Sequence, residues 1–103
     1  MEFRKAGNVY LQEINQKVRD GSLKINLHRL LVDIEKYAEF GKNECGGITR
    51  PSFSSADHQV REMFIKELEE MGLTVTIDGA ANIWAKLKGN GKKNGSLVIG
   101  SHL

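Results

Sequence analysis

The apolar pattern of this chain changes period at Gly72, and that switch restricts it to folds that pack helices on a sheet. Upstream, Val60, Met63, Phe64, Leu68 and Met71 recur at the spacing that lines one face of a helix. Downstream, Leu73, Val75 and Ile77 alternate with Thr74 and Thr76, the period of a half-buried strand. The helix carries its own punctuation. Ser54 is an N-cap residue with Asp57 three positions on, a carboxylate variant of the capping box, and Gly72 suits the left-handed C-terminal cap. Asp78-Gly79 breaks the strand. Ile83, Ala85 and Leu87 then form a second alternating set, with Trp84, Lys86 and Lys88 on the other face.

The flanking segments extend this pattern. Asn26 caps a helix whose apolar positions are Leu27, Leu30, Leu31, Ile34, Tyr37 and Ala38, ending at Gly41. Before it, Leu11, Ile14 and Val18 predict a thinly apolar helix from about Asn8 to Asp20, an N-terminal extension over residues 1–24. Lys42 to Phe53 is a loop, with Gly46-Gly47 and the single proline, Pro51. The stretch from Gly89 to Gly95 fits neither the Walker pattern nor G-x-G-x-x-G, and reads as a solvated hairpin tip. Leu97-Val98-Ile99 is a continuous apolar run, which predicts a strand covered on both faces. The expected class is α/β (α+β in this piece), with helices packed on a small mixed sheet.

Composition narrows the partners. The 103 residues support one domain, and a net charge of +2 gives no reason to expect a nucleic-acid partner. No apolar run approaches the roughly 20 residues that span a bilayer, and Met1 to Lys5 lacks a secretory h-region, so no membrane partner is expected. The single cysteine, Cys45, excludes an internal disulfide and fits a reducing compartment, so the expected location is cytoplasmic. An unpaired Leu97–Ile99 strand would be a template for edge pairing, and self-association through that edge is expected.

His102 carries the sharpest chemical signal. Functional groups of α/β proteins gather beyond the carboxyl ends of strands, and imidazole is a common zinc ligand. The plain alternative for a lone histidine is a solvated imidazole. His28 and His58 read as surface residues, and Cys45 has no sequence partner for metal or redox chemistry. Thr49, Arg50, Ser54 and Asp57 cluster at a loop-to-helix junction. They are either caps plus a surface arginine or the rim of a site, with Arg50 available for a carboxylate.

Taken together, Gly46-Gly47-Ile48-Thr49-Arg50, Phe53-Ser54, Asp57, Met71 to Val75, Asp78, Asn82-Ile83 and the ending Gly100-Ser101-His102-Leu103 resemble the amidase, hydantoinase/carbamoylase family over roughly residues 25–103. That family contains N-carbamoyl-L-amino-acid hydrolases and allantoate amidohydrolases, within the aminoacylase–carboxypeptidase superfamily of two-metal hydrolases. The resemblance implies that residues 25–103 are the incomplete N-terminal portion of a zinc-peptidase-like catalytic domain. It makes His102 a ligand of zinc or manganese, with Thr49, Arg50, Ser54, Asp57 and Asn82 on the substrate rim and a small ureido or amide molecule as substrate. The bridging carboxylate and general base of the family lie beyond the residues present. This piece alone is therefore expected to be inactive and to hold no metal tightly. Two positions depart from the family pattern: Ala81 stands where glycine is usual, which would strain a positive φ, and Pro51 where leucine is common.

Two functions follow. One is a portion of a metal-dependent hydrolase acting on linear C–N bonds other than peptide bonds. The other is a stand-alone protein-interaction module that keeps the fold without the chemistry.

Overall fold

The structure, a computed structural model, describes residues 19–103 together with Gln12, Gln16 and Lys17. Gln12, Gln16, Lys17 and Arg19 are helical, and the rest of the helix expected over residues 8–20, including Leu11, Ile14 and Val18, lies outside the described residues.

Helix α1 spans Leu27–Ala38 and helix α2 spans Ser55–Glu70; strands β1 (Thr74–Ile77) and β2 (Ile83–Lys86) follow. Asn26 caps α1 by accepting the Arg29 N–H at 2.9 Å. Ser54 caps α2 by accepting the Asp57 N–H at 3.2 Å, and Asp57 returns a bond by accepting the Phe53 N–H at 2.9 Å. A strict capping box would return that bond to the cap residue itself, but the Ser54 N–H is already given to the Pro51 carbonyl. At the other end of α2, Gly72 takes φ +83. Its N–H reaches the Glu69 carbonyl and the Leu73 N–H reaches that of Leu68, the double closure of a Schellman motif.

That closure turns the chain directly into β1, which pairs antiparallel with β2 in the register Val75 with Ala85 and Ile77 with Ile83. The pairing sets the two alternating apolar sets on one face, as their period required. Helix α2 packs against β1. Between them Val60 is fully buried and Leu68 is 8% exposed, and these two are the core among the described residues.

Helix α1 is joined to α2 through its last turn. Tyr37 Oη donates to Glu67 Oε2 at 2.7 Å, Lys36 pairs with the other oxygen of Glu67, and the Tyr37 ring meets Phe64 edge-on at 6.3 Å. Burial, then the bond to Glu67, pushes the Tyr37 phenol well above its ordinary value. Partial burial pushes Glu67 up, but the bonds from Lys36 and Tyr37 outweigh it and hold the carboxyl below its usual range. The stripe formed by Leu27, Leu30, Leu31 and Ile34 meets no such partner and stays exposed.

Two expectations are corrected. The sheet is not mixed: among the described residues it has two strands, paired antiparallel. Leu97-Val98-Ile99 forms no strand, and with it the hairpin tip expected at Gly89–Gly95 becomes an exposed loop. The reason is pairing. An apolar run becomes a buried strand only when neighbours take its N–H and C=O groups and layers cover both faces. A two-stranded hairpin supplies neither, and Leu97 and Ile99 remain 93% and 88% exposed. The described elements make an α+β arrangement, and no described helix is long and apolar enough to cross a membrane.

Candidate functional site

A shallow depression of about 480 Å³ lies where the loop before α2, the hairpin turn and the last residues of the chain meet. Its polar wall includes Arg50, Asp57, Arg61, Asn82 and His102, and its apolar wall includes Phe64, Trp84, Val98 and Ile99. Four of the residues marked in the sequence thus share one surface. Thr49 and Ser54 do not line it.

Arg50, Asp57, Arg61 and Asn82 each have a structural partner. Arg50 Nη1 donates to the carbonyls of Tyr37 (2.8 Å) and Phe40 (3.3 Å), placing a guanidinium on the open carbonyls at the end of α1. Thr49 serves the preceding loop: its N–H donates to the Gly41 carbonyl at 2.7 Å, and its hydroxyl accepts from Asn43 Nδ2 at 3.1 Å. Gly41, at φ +84, brings its backbone too close to Thr49 to leave room for a Cβ.

Asp57 is shared between the Phe53 N–H and Arg61 Nε (3.2 Å). The Phe53 N–H holds its carboxyl below the ordinary range; burial opposes this, and the Arg61 guanidinium adds to the lowering. Arg61 carries the chain of bonds onward, donating from Nη1 to the Ala81 carbonyl at 2.7 Å. Sequence reasoning missed Arg61. The four-residue spacing from Asp57 marks an ion pair on one helix face, but nothing local announces the bond to Ala81.

The hairpin turn is built around Asp78. Its Oδ1 accepts the N–H groups of Ala80 and Asn82, and its Oδ2 accepts Asn82 Nδ2 and Trp84 Nε1, each at 2.9 Å. Those donors, Trp84 and then Asn82 foremost, lower its pKa to about 2. Ala81 within this turn has φ +63, the left-handed conformation that glycine takes without strain. Phe53, at φ +67 and 88% exposed, is the other non-glycine residue in that region among the described residues.

The remaining histidines and the cysteine stand apart. His28 is exposed, His58 Nε2 lies 3.3 Å from Glu62 Oε1 on the surface of α2, and Cys45 is exposed. No three His, Cys, Asp or Glu side chains gather into a metal-binding group among the described residues. A catalytic zinc takes about three protein ligands. His102 with the described residues does not make such a centre.

The wider relationship comes from known sequences. Over 79 residues, 77% of this chain, it is 33% identical to the N-carbamoyl-L-amino-acid amidohydrolase of Pseudomonas sp. (strain NS671). Over 75 residues, 73% of the chain, it is 31% identical to the N-carbamoyl-L-amino acid amidohydrolase of Geobacillus stearothermophilus. Over these stretches the chain is similar to both enzymes. It spans 19% and 18% of the lengths of these two relatives. No protein-family model matches it, and no solved structure matches it significantly.

Proposed function

We propose that this chain forms the N-terminal part of the catalytic domain of an amidohydrolase that cleaves the carbamoyl C–N bond of N-carbamoyl-L-amino acids. The observation that carries the reading is the convergence of Arg50, Asp57, Asn82 and His102 on one depression in a chain similar to two such amidohydrolases. In this reading Arg50, Asp57 and Arg61 hold the shape of the wall. Asn82 and His102 are the groups that meet ligand, and Thr49 and Ser54 set the loop and helix start behind them. His102 would be one ligand of a divalent ion, zinc or manganese, whose other ligands come from residues outside this set. The zinc-peptidase-like architecture of the whole domain and a cytoplasmic location belong to the same proposal. By itself the chain is expected to leave N-carbamoyl-L-amino acids and allantoate intact.

The test is a chimera in which this chain replaces the matching 75-residue segment of the Geobacillus stearothermophilus relative. Hydrolysis of an N-carbamoyl-L-amino acid, lost in His102→Ala, is the expected result. Hydrolysis of allantoate alone would shift the substrate class. A folded chimera that cleaves neither would overturn the reading.

One observation favours the interaction-module reading: the stripe Leu27, Leu30, Leu31 and Ile34 and the run Leu97 to Ile99 are both exposed. Apolar surface of that kind binds other chains, this one included.

A further inference from the structure

We propose that Asp78 is a positioning residue that fixes the amide of Asn82 with its oxygen towards ligand, so that Asn82 recognises an N–H donor. The argument starts from the carboxylate. An ionised Asp only accepts hydrogen bonds and offers about four lone-pair sites. Asp78 fills all four, with the N–H groups of Ala80 and Asn82, Asn82 Nδ2 and Trp84 Nε1. It has no capacity left for a ligand, and its role is exercised through what it holds.

The same saturation settles the orientation of Asn82. An amide oxygen placed 2.9 Å from the carboxylate would set two acceptors against each other, so the NH2 group must face Asp78. Asn82 lines the depression, and its Oδ1 has no hydrogen-bond partner among the described residues. The ligand group matched to that atom is a donor. For the substrate class proposed above, on which this assignment of the ligand rests, the donor is the terminal NH2 of the carbamoyl group.

Two measurements on the ¹⁵N-labelled chain test this. Asn82 Nδ2 and Trp84 Nε1 share one oxygen of Asp78, so their protons lie side by side and should give a nuclear Overhauser contact. Trp84 is the single tryptophan, so its indole signal is unambiguous. Absence of that contact in the folded chain would overturn the orientation and leave the hydrolase reading standing. The second measurement compares N-carbamoylglycine with N-methoxycarbonylglycine, in which OCH3 replaces the terminal NH2, by amide shift titration at up to tens of millimolar. The carbamoyl probe should bind about threefold to tenfold more tightly, the worth of one net hydrogen bond. Asp78→Asn, whose own NH2 can pair with Asn82 Oδ1 and turn the amide round, should abolish that preference while the chain stays folded. Equal binding of both probes by the unaltered chain would overturn the donor assignment. If neither probe binds, the ligand assignment falls together with the substrate reading of the depression, and the Overhauser contact alone decides the amide geometry.

Discussion

Arg61 donates from Nη1 to the carbonyl oxygen of Ala81 at 2.7 Å, tying the first turns of α2 to a left-handed residue in the hairpin turn. The bond spans 20 residues of sequence and lies within the wall of the depression. Its guanidinium is also anchored by Asp57, so one side chain joins the loop, the helix and the turn. Arg61→Ala should destabilise the chain by about 1–3 kcal/mol, the range for a part-buried charged hydrogen bond. Arg61→Lys should recover only part of that, because an ammonium cannot reproduce the fork. Urea unfolding of the two variants checks the order, and equal stability of Arg61→Ala and the unaltered chain would remove the anchor.

Ala81 at φ +63 predicts a gain from glycine. An L-residue in the left-handed region costs roughly 1–2 kcal/mol, and glycine gives back roughly 0.5–1 kcal/mol through its freer unfolded state. Ala81→Gly should therefore raise the stability by up to about 1.5 kcal/mol and move the urea midpoint upward. A clear loss of stability would show that the alanine methyl contributes packing.

Gly41 and Gly46 share a positive φ but not the same surroundings. A Cβ at Gly41 would press into the Thr49 carbonyl, while at Gly46 it meets nothing. Gly41→Ala should cost well over the roughly 1 kcal/mol of backbone strain expected for Gly46→Ala. Thermal melts of the pair test the difference, and similar losses would mean the 41–49 loop gives way easily.

Acid should weaken the hairpin through Asp78. Its folded pKa of about 2 lies below the ordinary 3.8. The stability it contributes is therefore complete above about pH 5 and is lost as pH falls through 3.8 towards 2. The urea midpoint should drop between pH 5 and pH 3, and Asp78→Asn should flatten that part of the profile. An identical acid slope in the variant would assign it to other carboxylates, with Asp57 and Glu67, both also lowered, the first to examine.

Exposed Leu97 and Ile99 predict association at high concentration. Sedimentation velocity should show the weight-average mass rising with concentration, and Ile99→Lys should reduce that rise. A monomer at every concentration would remove self-association from the expected behaviour.

The sequence by itself determined the elements whose causes are local. Asn26, Ser54 and Gly72 mark helix ends because their bonds reach only a few residues along the chain, and the change of period at Gly72 separates α2 from β1. The two alternating apolar sets were legible as strands, and the structure supplied their antiparallel pairing and register. The tertiary structure decided everything that depended on a distant partner. Arg50 looked equally suited to a ligand carboxylate, and only the approach of α1 gave it the Tyr37 and Phe40 carbonyls. His102 and Asn82 were legible as candidates, but the depression they share with Arg61 and Trp84 was not. Leu97-Val98-Ile99 has the composition of a buried strand and is not one, because strand formation is a property of pairs. A side-chain pattern can invite a neighbour, but only the neighbour's backbone can complete the hydrogen bonds.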